Sequence, residues 1–377
     1  MKIVIAPDSY KESLSAMDVA VAIEQGFKQV LPNAEYIKLP MADGGEGTVQ
    51  SLVDATGGEI IEHTVTGPLG QSVTGFYGLM GDGKTAIIEM AAASGLHLVE
   101  PEKRNPMITT TLGTGELIKA VLDKGVEHII VGIGGSATND GGLGMAQALG
   151  IRLLDESGQS LGFGGGELAK LHTIDMSELD PRLANIRLEV ACDVDNPLCG
   201  EKGASQVFGP QKGATPEMVA QLDSNLAHYA AVIKQQLGHD VLNRPGAGAA
   251  GGLGAALMGL LNAELRPGIE IVMDAVNLSE VVADADLVIT GEGRIDSQTI
   301  HGKTPIGVAR TAKKHNVPVI GIAGCLTQDC GVVHEHGIDA VFAVVNRSVD
   351  LPTALVEAAQ NIELTARNVA AMLQVKL

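Results

Sequence analysis

The chain has 377 residues, of which 45% are hydrophobic, 19% charged and only 2% aromatic, with 48 glycines and no Trp. That length suggests roughly two or three domains, and the apolar share is ample for a core, so a disordered chain is excluded. A formal charge of −19 excludes binding to nucleic acid or an anionic membrane by bulk electrostatics, so an anionic ligand must be captured by a local group of Lys, Arg or metal ion.

Lys2-Ile-Val-Ile-Ala6 reads as a short buried parallel strand ending in Pro7-Asp8-Ser9. Val19, Ile23, Phe27 and Val30 carry helical periodicity over 16–30, with Ser15 as N-cap. Tyr36–Leu39 is the next strand, and it leads through Met41-Ala-Asp-Gly-Gly-Glu-Gly-Thr48 into a helix to about Ala55. This β-α-β-α opening implies a parallel sheet with helices on its faces. From Glu59 to Glu89 the Val, Thr and Ile content, with turns at Gly67-Pro68 and Gly81-Asp-Gly83, favours antiparallel hairpins. Thr114–Asp123 reads as a helix and His128–Val131 as a buried strand. The segment from Arg152 to about Gly268 is glycine-rich and mixed, with a helix expected over Pro216–Leu237. The end repeats the opening pattern. Strands are expected at Asp286–Thr290, Pro318–Ala323 and Asp339–Val344, a helix at Pro305–His315, and one long helix over Ala354–Leu373.

The pattern predicts an α/β protein with a doubly wound parallel-sheet domain built from both chain ends, residues 1–58 and 270–377. A mixed α/β domain, residues 59–269, is inserted between them, with the placement of 110–150 left open. No apolar run of about 18 residues occurs, so no membrane span is expected. Met1 leads straight into a strand, and Cys192, Cys199, Cys325 and Cys330 lack the close pairing of a zinc site. Both features point to reduced thiols and a cytoplasmic location.

The densest motif is Gly132-Ile-Gly-Gly-Ser-Ala-Thr-Asn-Asp-Gly-Gly-Leu-Gly144, between a strand and Met145–Leu149. A glycine turn entering a helix presents free N–H groups to a phosphate or carboxylate. Ser136, Thr138 and Asp140 add hydroxyls and a carboxylate. Three other matches are weak. Gly78–Thr85 fits the phosphate-loop spacing but leads into a strand, so Gly81–Gly83 is read as a hairpin turn. Gly246–Gly251 fits a dinucleotide fingerprint without the preceding strand, and is either a phosphate cradle or close helix packing. His334-Glu-His336 lacks a third ligand.

In an open parallel sheet, ligands sit at the carboxyl ends of the strands. Those ends carry Asp8 and Ser9 with Lys11 and Ser13; Asp43 and Glu46; Ser136, Thr138 and Asp140; Asp193 and Asp195; and Glu292, Arg294 and Asp296 with His301 and Lys303. Five acidic ends are expected to share one edge. Carboxylates that recruit Mg²⁺, cations for phosphates and glycine loops suit phosphoryl transfer. The doubly wound fold alone also leaves open a nicotinamide-dependent oxidoreductase of a small hydroxy acid.

Asp8–Ser15, Met41–Thr48, Gly134–Gly142, Phe208-Gly-Pro-Gln-Lys-Gly213 and Thr290-Gly-Glu-Gly-Arg-Ile-Asp296, in order, resemble the class I bacterial glycerate kinases. Gly302-Lys303 and the Gly246–Gly254 loop belong to the same resemblance. It implies ATP- and Mg²⁺-dependent phosphorylation of D-glycerate to 2-phosphoglycerate, and a flavodoxin-like domain built from both termini. It leaves homo-oligomer formation open. Lys11, Arg294 and Lys303 are then expected to hold anionic oxygens of ATP or glycerate. Asp193 and Asp195 are expected near Mg²⁺ or the acceptor hydroxyl, and Asp43, Asp140 and Asp296 as further metal ligands or bases. Ser136, Thr138, Gly134 and Gly135 are expected to meet phosphate or the glycerate carboxylate. Asp8, Ser9, Ser13, Gly44, Gly45, Lys212, Gly248, Gly251 and Glu292 complete the expected ATP and substrate contacts.

Overall fold

The computed structural model describes residues 1–375. The first strands in chain order are β1 (Lys2–Ile5), β2 (Glu35–Lys38), β3 (Glu59–Thr66), β4 (Ser72–Leu79), β5 (Thr85–Glu89) and β6 (His128–Gly132). After them come β7 (Arg152–Leu154), β8 (Thr173–Asp175), β9 (Arg187–Ala191) and β10 (Glu264–Arg266). The last are β11 (Leu287–Thr290), β12 (Arg294–Ile295), β13 (Val319–Ala323), β14 (Cys325–Leu326) and β15 (Ala340–Ala343). Two compact units form: 1–43, 50–57 and 269–377 in one, 44–49 and 58–268 in the other.

The first unit is built on a five-stranded sheet in the order β15-β13-β11-β1-β2. Every pair in it is parallel. Ile3, Ile5, Leu287, Ile289, Ile320 and Ile322 alternate onto one face, where Val19, Ile23, Phe27, Ile362, Ala366 and Val369 cover them. Those covering residues come from the helices Ala16–Lys28 and Ala358–Met372. Gly26 lets the two helices touch, since a Cβ there would lie 2.3 Å from the Glu363 carbonyl oxygen. Ser15 accepts from the Asp18 N–H and so starts the first of them, as its residue type predicts.

The single helix expected over Ala354–Leu373 is instead two, Leu351–Val356 and Ala358–Met372. Asp350 caps the first at the Thr353 N–H, so that it starts at Leu351, three residues before the expected start. The backbone leaves helical geometry at Glu357 (φ −84°, ψ 3°), next to the Leu355 carbonyl that accepts from the Ser13 hydroxyl.

The second unit is built on a six-stranded sheet in the order β10-β9-β6-β5-β4-β3. β3, β4 and β5 pair antiparallel, while β5, β6, β9 and β10 pair parallel. The Gly81–Gly83 stretch is a hairpin turn, with Asp82 accepting from the Lys84 and Thr85 N–H groups. The helix Pro216–Leu237 forms as expected, capped by Thr215 with Pro216 in its first turn.

β6 and β9 belong to this second sheet, which corrects the expectation of one acidic edge. Asp140, Asp193 and Asp195 follow strands of the six-stranded sheet. Asp8, Asp43 and Glu292 follow β1, β2 and β11 of the five-stranded one.

Candidate active site

In the first unit, the carboxyl ends of β1, β11, β13 and β15 surround a cavity of about 420 Å³. It brings together Asp8, Ser9, Lys11, Ser13, Asp43, Glu292, Arg294 and Lys303, all expected from the sequence. Thr304 Oγ1 donates to Asp8 Oδ2 at 2.6 Å, and the Ser9 N–H donates to Asp8 Oδ1 at 2.6 Å. Burial pushes the Asp8 carboxyl up to about 6; the Asp43 charge adds to this, against the bonds from Thr304 and Ser9. Glu292 is also raised, chiefly by burial, although Thr299 donates to it at 2.8 Å and Lys303 at 3.2 Å. Arg294 Nε rests on Asp296 at 2.8 Å with the rest of its side chain exposed.

The cavity has a second wall that the sequence reading missed. Val344, Val345, Leu351, Ala354, Leu355 and Ala358 make it apolar, and Cys325 also lines the cavity. Val344 and Val345 follow the carboxyl end of β15, but as apolar residues they carry no signal of a site. The cavity therefore has a charged end and an apolar end.

The second unit holds a cavity of about 340 Å³ at the carboxyl ends of β5 and β6. Gly44, Gly45, Gly134 and Gly135 meet there, all four expected, together with Gly132, Glu46, Phe76, Glu89, Ala91, Ala92 and His97. Glu89 and His97 were missed. Glu89 is buried and accepts from the Val49 N–H at 2.9 Å, at the start of the helix Thr48–Thr56. Burial raises its pKa against those N–H bonds. His97 sits in the turn Leu96–Leu98, which the Leu96 N–H ties to the Gly135 carbonyl.

The remaining polar residues of the glycine-rich loop turn inward. Lys212 is buried, and its Nζ donates to Ser136 Oγ at 3.0 Å and to the Thr138 carbonyl at 2.7 Å. Burial brings its pKa down to about 7, opposed by the charge of Asp140. Asp140 is fully buried and accepts from Thr111 N (2.9 Å), Thr111 Oγ1 (2.8 Å), Gly142 N (3.1 Å) and Gly144 N (3.2 Å). Burial raises its pKa.

Several other expected residues are engaged within the protein. Asp140 is held by protein donors. Ser136, Thr138 and Lys212 bond one another. Gly248 and Gly251 are packed closely against backbone. A Cβ at Gly248 would stand 2.2 Å from the Pro197 carbonyl oxygen, and one at Gly251 2.0 Å from that of Thr138. Asp296 is buried and accepts from the Gln298 N–H, the geometry of a turn former. Asp193 accepts from the Gly268 N–H at 2.9 Å, and Asp195 is exposed; neither lines either cavity.

Among the described residues, no three His, Cys, Asp or Glu side chains form a cation cage. Mg²⁺ at a phosphoryl-transfer site needs only one or two carboxylates, with phosphate oxygens and water as the other ligands. Asp8 and Asp43 line one cavity and are near enough for their charges to interact, so they fit that donor set.

Residues 3–374 match the model of the glycerate kinase family. The chain is 63% identical to a glycerate kinase of Haemophilus influenzae over all of both chains. It is 64% identical to one of Bacillus subtilis, over 99% of this chain and 98% of that one. It is 61% identical to the glycerate 2-kinase of Escherichia coli, over 100% and 98%. A solved structure from Salmonella typhimurium LT2, carrying the name glycerate kinase 2, superimposes with a TM-score of 0.93 at 61% identity, covering 99% of this chain and 98% of that one. None of these relatives supports a nicotinamide-dependent oxidoreductase.

Proposed function

Because the chain belongs to the glycerate kinase family, and so is a kinase acting on glycerate, we propose that it moves the γ-phosphoryl group of ATP, with Mg²⁺, onto the 2-hydroxyl of D-glycerate and releases 2-phosphoglycerate. The observation that carries the nucleotide half is the two-ended cavity of the first unit. Its apolar end suits a nucleobase, and Lys11, Arg294 and Lys303 suit the phosphates. Asp8 and Asp43 would hold Mg²⁺, which when bound neutralises charge on the phosphate oxygens. Asp8 must be ionised for this. Its raised pKa is the consequence of burial, with the Asp43 charge adding to it.

The cavity of the second unit suits a three-carbon hydroxy acid. Backbone N–H groups of its glycines favour the glycerate carboxylate. Glu46, Glu89 and His97 are polar side chains that line it and would meet its hydroxyls. The choice of the 2-hydroxyl leans on the sequence motifs and on the name of the Escherichia coli relative.

A coupled assay of ADP release tests the reaction. Turnover that requires ATP, Mg²⁺ and D-glycerate together is expected, and its absence would refute the proposal. Phosphorus NMR of the product separates the 2-phosphate expected from the 3-phosphate.

A further inference from the structure

The apolar end of the first unit's cavity is built from Val344, Val345, Leu351, Ala354, Leu355 and Ala358. These side chains offer area and shape but no hydrogen bond. Four polar groups beside them are engaged within the protein. Ser13 Oγ donates to the Leu355 carbonyl at 2.7 Å, and Tyr10 OH to the Ile322 carbonyl at 2.9 Å. The Val344 N–H donates to the Ala323 carbonyl, and the Ala354 N–H to that of Asp350. The charges of the cavity gather instead at Asp8, Lys11, Asp43, Glu292, Arg294 and Lys303. These meet parts that every nucleoside triphosphate shares.

We propose that this kinase reads the triphosphate and not the base, and accepts purine nucleoside triphosphates as a class. The inference rests on the nucleotide reading of the same cavity. A wall that hydrogen-bonds a ligand group rejects the analogue lacking it by roughly 10⁴–10⁵, whereas an apolar wall discriminates by only about 10–200-fold. ATP and ITP are nearly the same size but reverse the donor and acceptor at the purine 6-position. An apolar wall cannot tell them apart strongly. Pyrimidine nucleotides cover less of the wall and follow with lower kcat/KM, by roughly tenfold for the lost apolar contact.

The test compares kcat/KM for ATP, ITP, GTP and UTP at saturating D-glycerate and Mg²⁺. ITP and GTP within about 200-fold of ATP are expected. A loss of roughly 10³-fold or more for ITP overturns the inference. A second measurement keeps that failure apart from a failure of the nucleotide reading itself. The chain has no Trp, so Val345→Trp places a single fluorescent reporter on an exposed part of the wall. Leu355→Trp does the same from a half-buried position. Equal fluorescence changes with Mg·ADP and Mg·GDP, and a raised KM for every nucleotide, are expected. A response to ADP alone overturns base indifference and leaves the nucleotide site standing. Two folded variants with no response and an unchanged KM for ATP overturn both.

Discussion

Two polar regions of this molecule look alike in sequence and behave in opposite ways. The cavity around Asp8, Lys11, Asp43, Glu292 and Lys303 turns its charges into open space. The loop around Ser136, Thr138, Asp140 and Lys212 is also rich in polar groups but commits them to partners within the protein, buried. In the cavity, burial raises the pKa values of Asp8 and Glu292, at a cost to stability. In the loop, burial shifts Asp140 and Lys212 as well, but both meet partners within the protein at normal distance, and the loop geometry is the product. The first region is set up to bind, the second to hold glycines such as Gly134 and Gly135 at the wall of the second unit's cavity.

The largest expected effects set the two regions against each other. Asp140→Ala strands the donors of Thr111, Gly142 and Gly144 in the core and should cost roughly 3–5 kcal/mol of stability by urea unfolding. Asp8→Asn should do the reverse. Turnover should fall roughly 10²–10³-fold, while the melting midpoint at pH 7 is unchanged or higher. The sign follows from Asp8's folded-state pKa of about 6 against 3.8. The stability this group contributes is full below its unfolded pKa and is lost as pH rises through about 6. At pH 7 the ionised carboxylate is therefore a burden that Asn removes. A destabilised, active Asp8→Asn would erase the distinction between the regions.

A smaller effect is a shift in pH profile. If Asp8 works ionised, kcat/KM for the Mg·nucleotide falls as pH drops through about 6. Thr304 donates to Asp8 from a buried position, and that bond lowers the pKa. Thr304→Val removes it and should move the acid limb to higher pH. An unmoved limb would assign that titration to another group. Lys303→Met removes a cation paired with Glu292. It should raise KM for nucleotide by roughly tenfold to a hundredfold, the loss of one charge-assisted bond, with KM for D-glycerate little changed.

The contrast also explains what was legible beforehand. Parallel strands leave their polar caps at one end, so Asp8, Lys11, Glu292 and Lys303 could be placed from the order of apolar runs and acids alone. The apolar wall could not. Val344, Val345 and Leu355 carry no polar chemistry, so their apolar runs read as ordinary core although they line the cavity. Residue type likewise conveys nothing of direction. Ser136, Thr138 and Lys212 carry suitable chemistry but bury it. Sequence also could not tell which sheet β6 and β9 would join, because a buried parallel strand looks the same in either. β6 lies between β9 and β5, the end of an antiparallel run, and this carries Asp140 and Asp193 into the second sheet.

The smallest effects form the sharpest test, because they come from the same substitution made once in each region. Ser13 and Ser136 each anchor a carbonyl or amine by one hydroxyl. Ser136→Ala removes the acceptor of Lys212 Nζ and of the Thr138 N–H. It should cost about 1–2 kcal/mol of stability and leave KM for nucleotide alone. Ser13→Ala frees the Leu355 carbonyl and loosens the helix that carries the apolar wall. It should raise KM for nucleotide by about two- to fivefold, as expected for one neutral hydrogen bond, with a melting midpoint close to wild type. One hydroxyl lost from a closed knot is felt by the fold, and one lost from an open wall is felt by the ligand. Equal effects of both on both readouts would mean that the loop and the cavity are not energetically distinct.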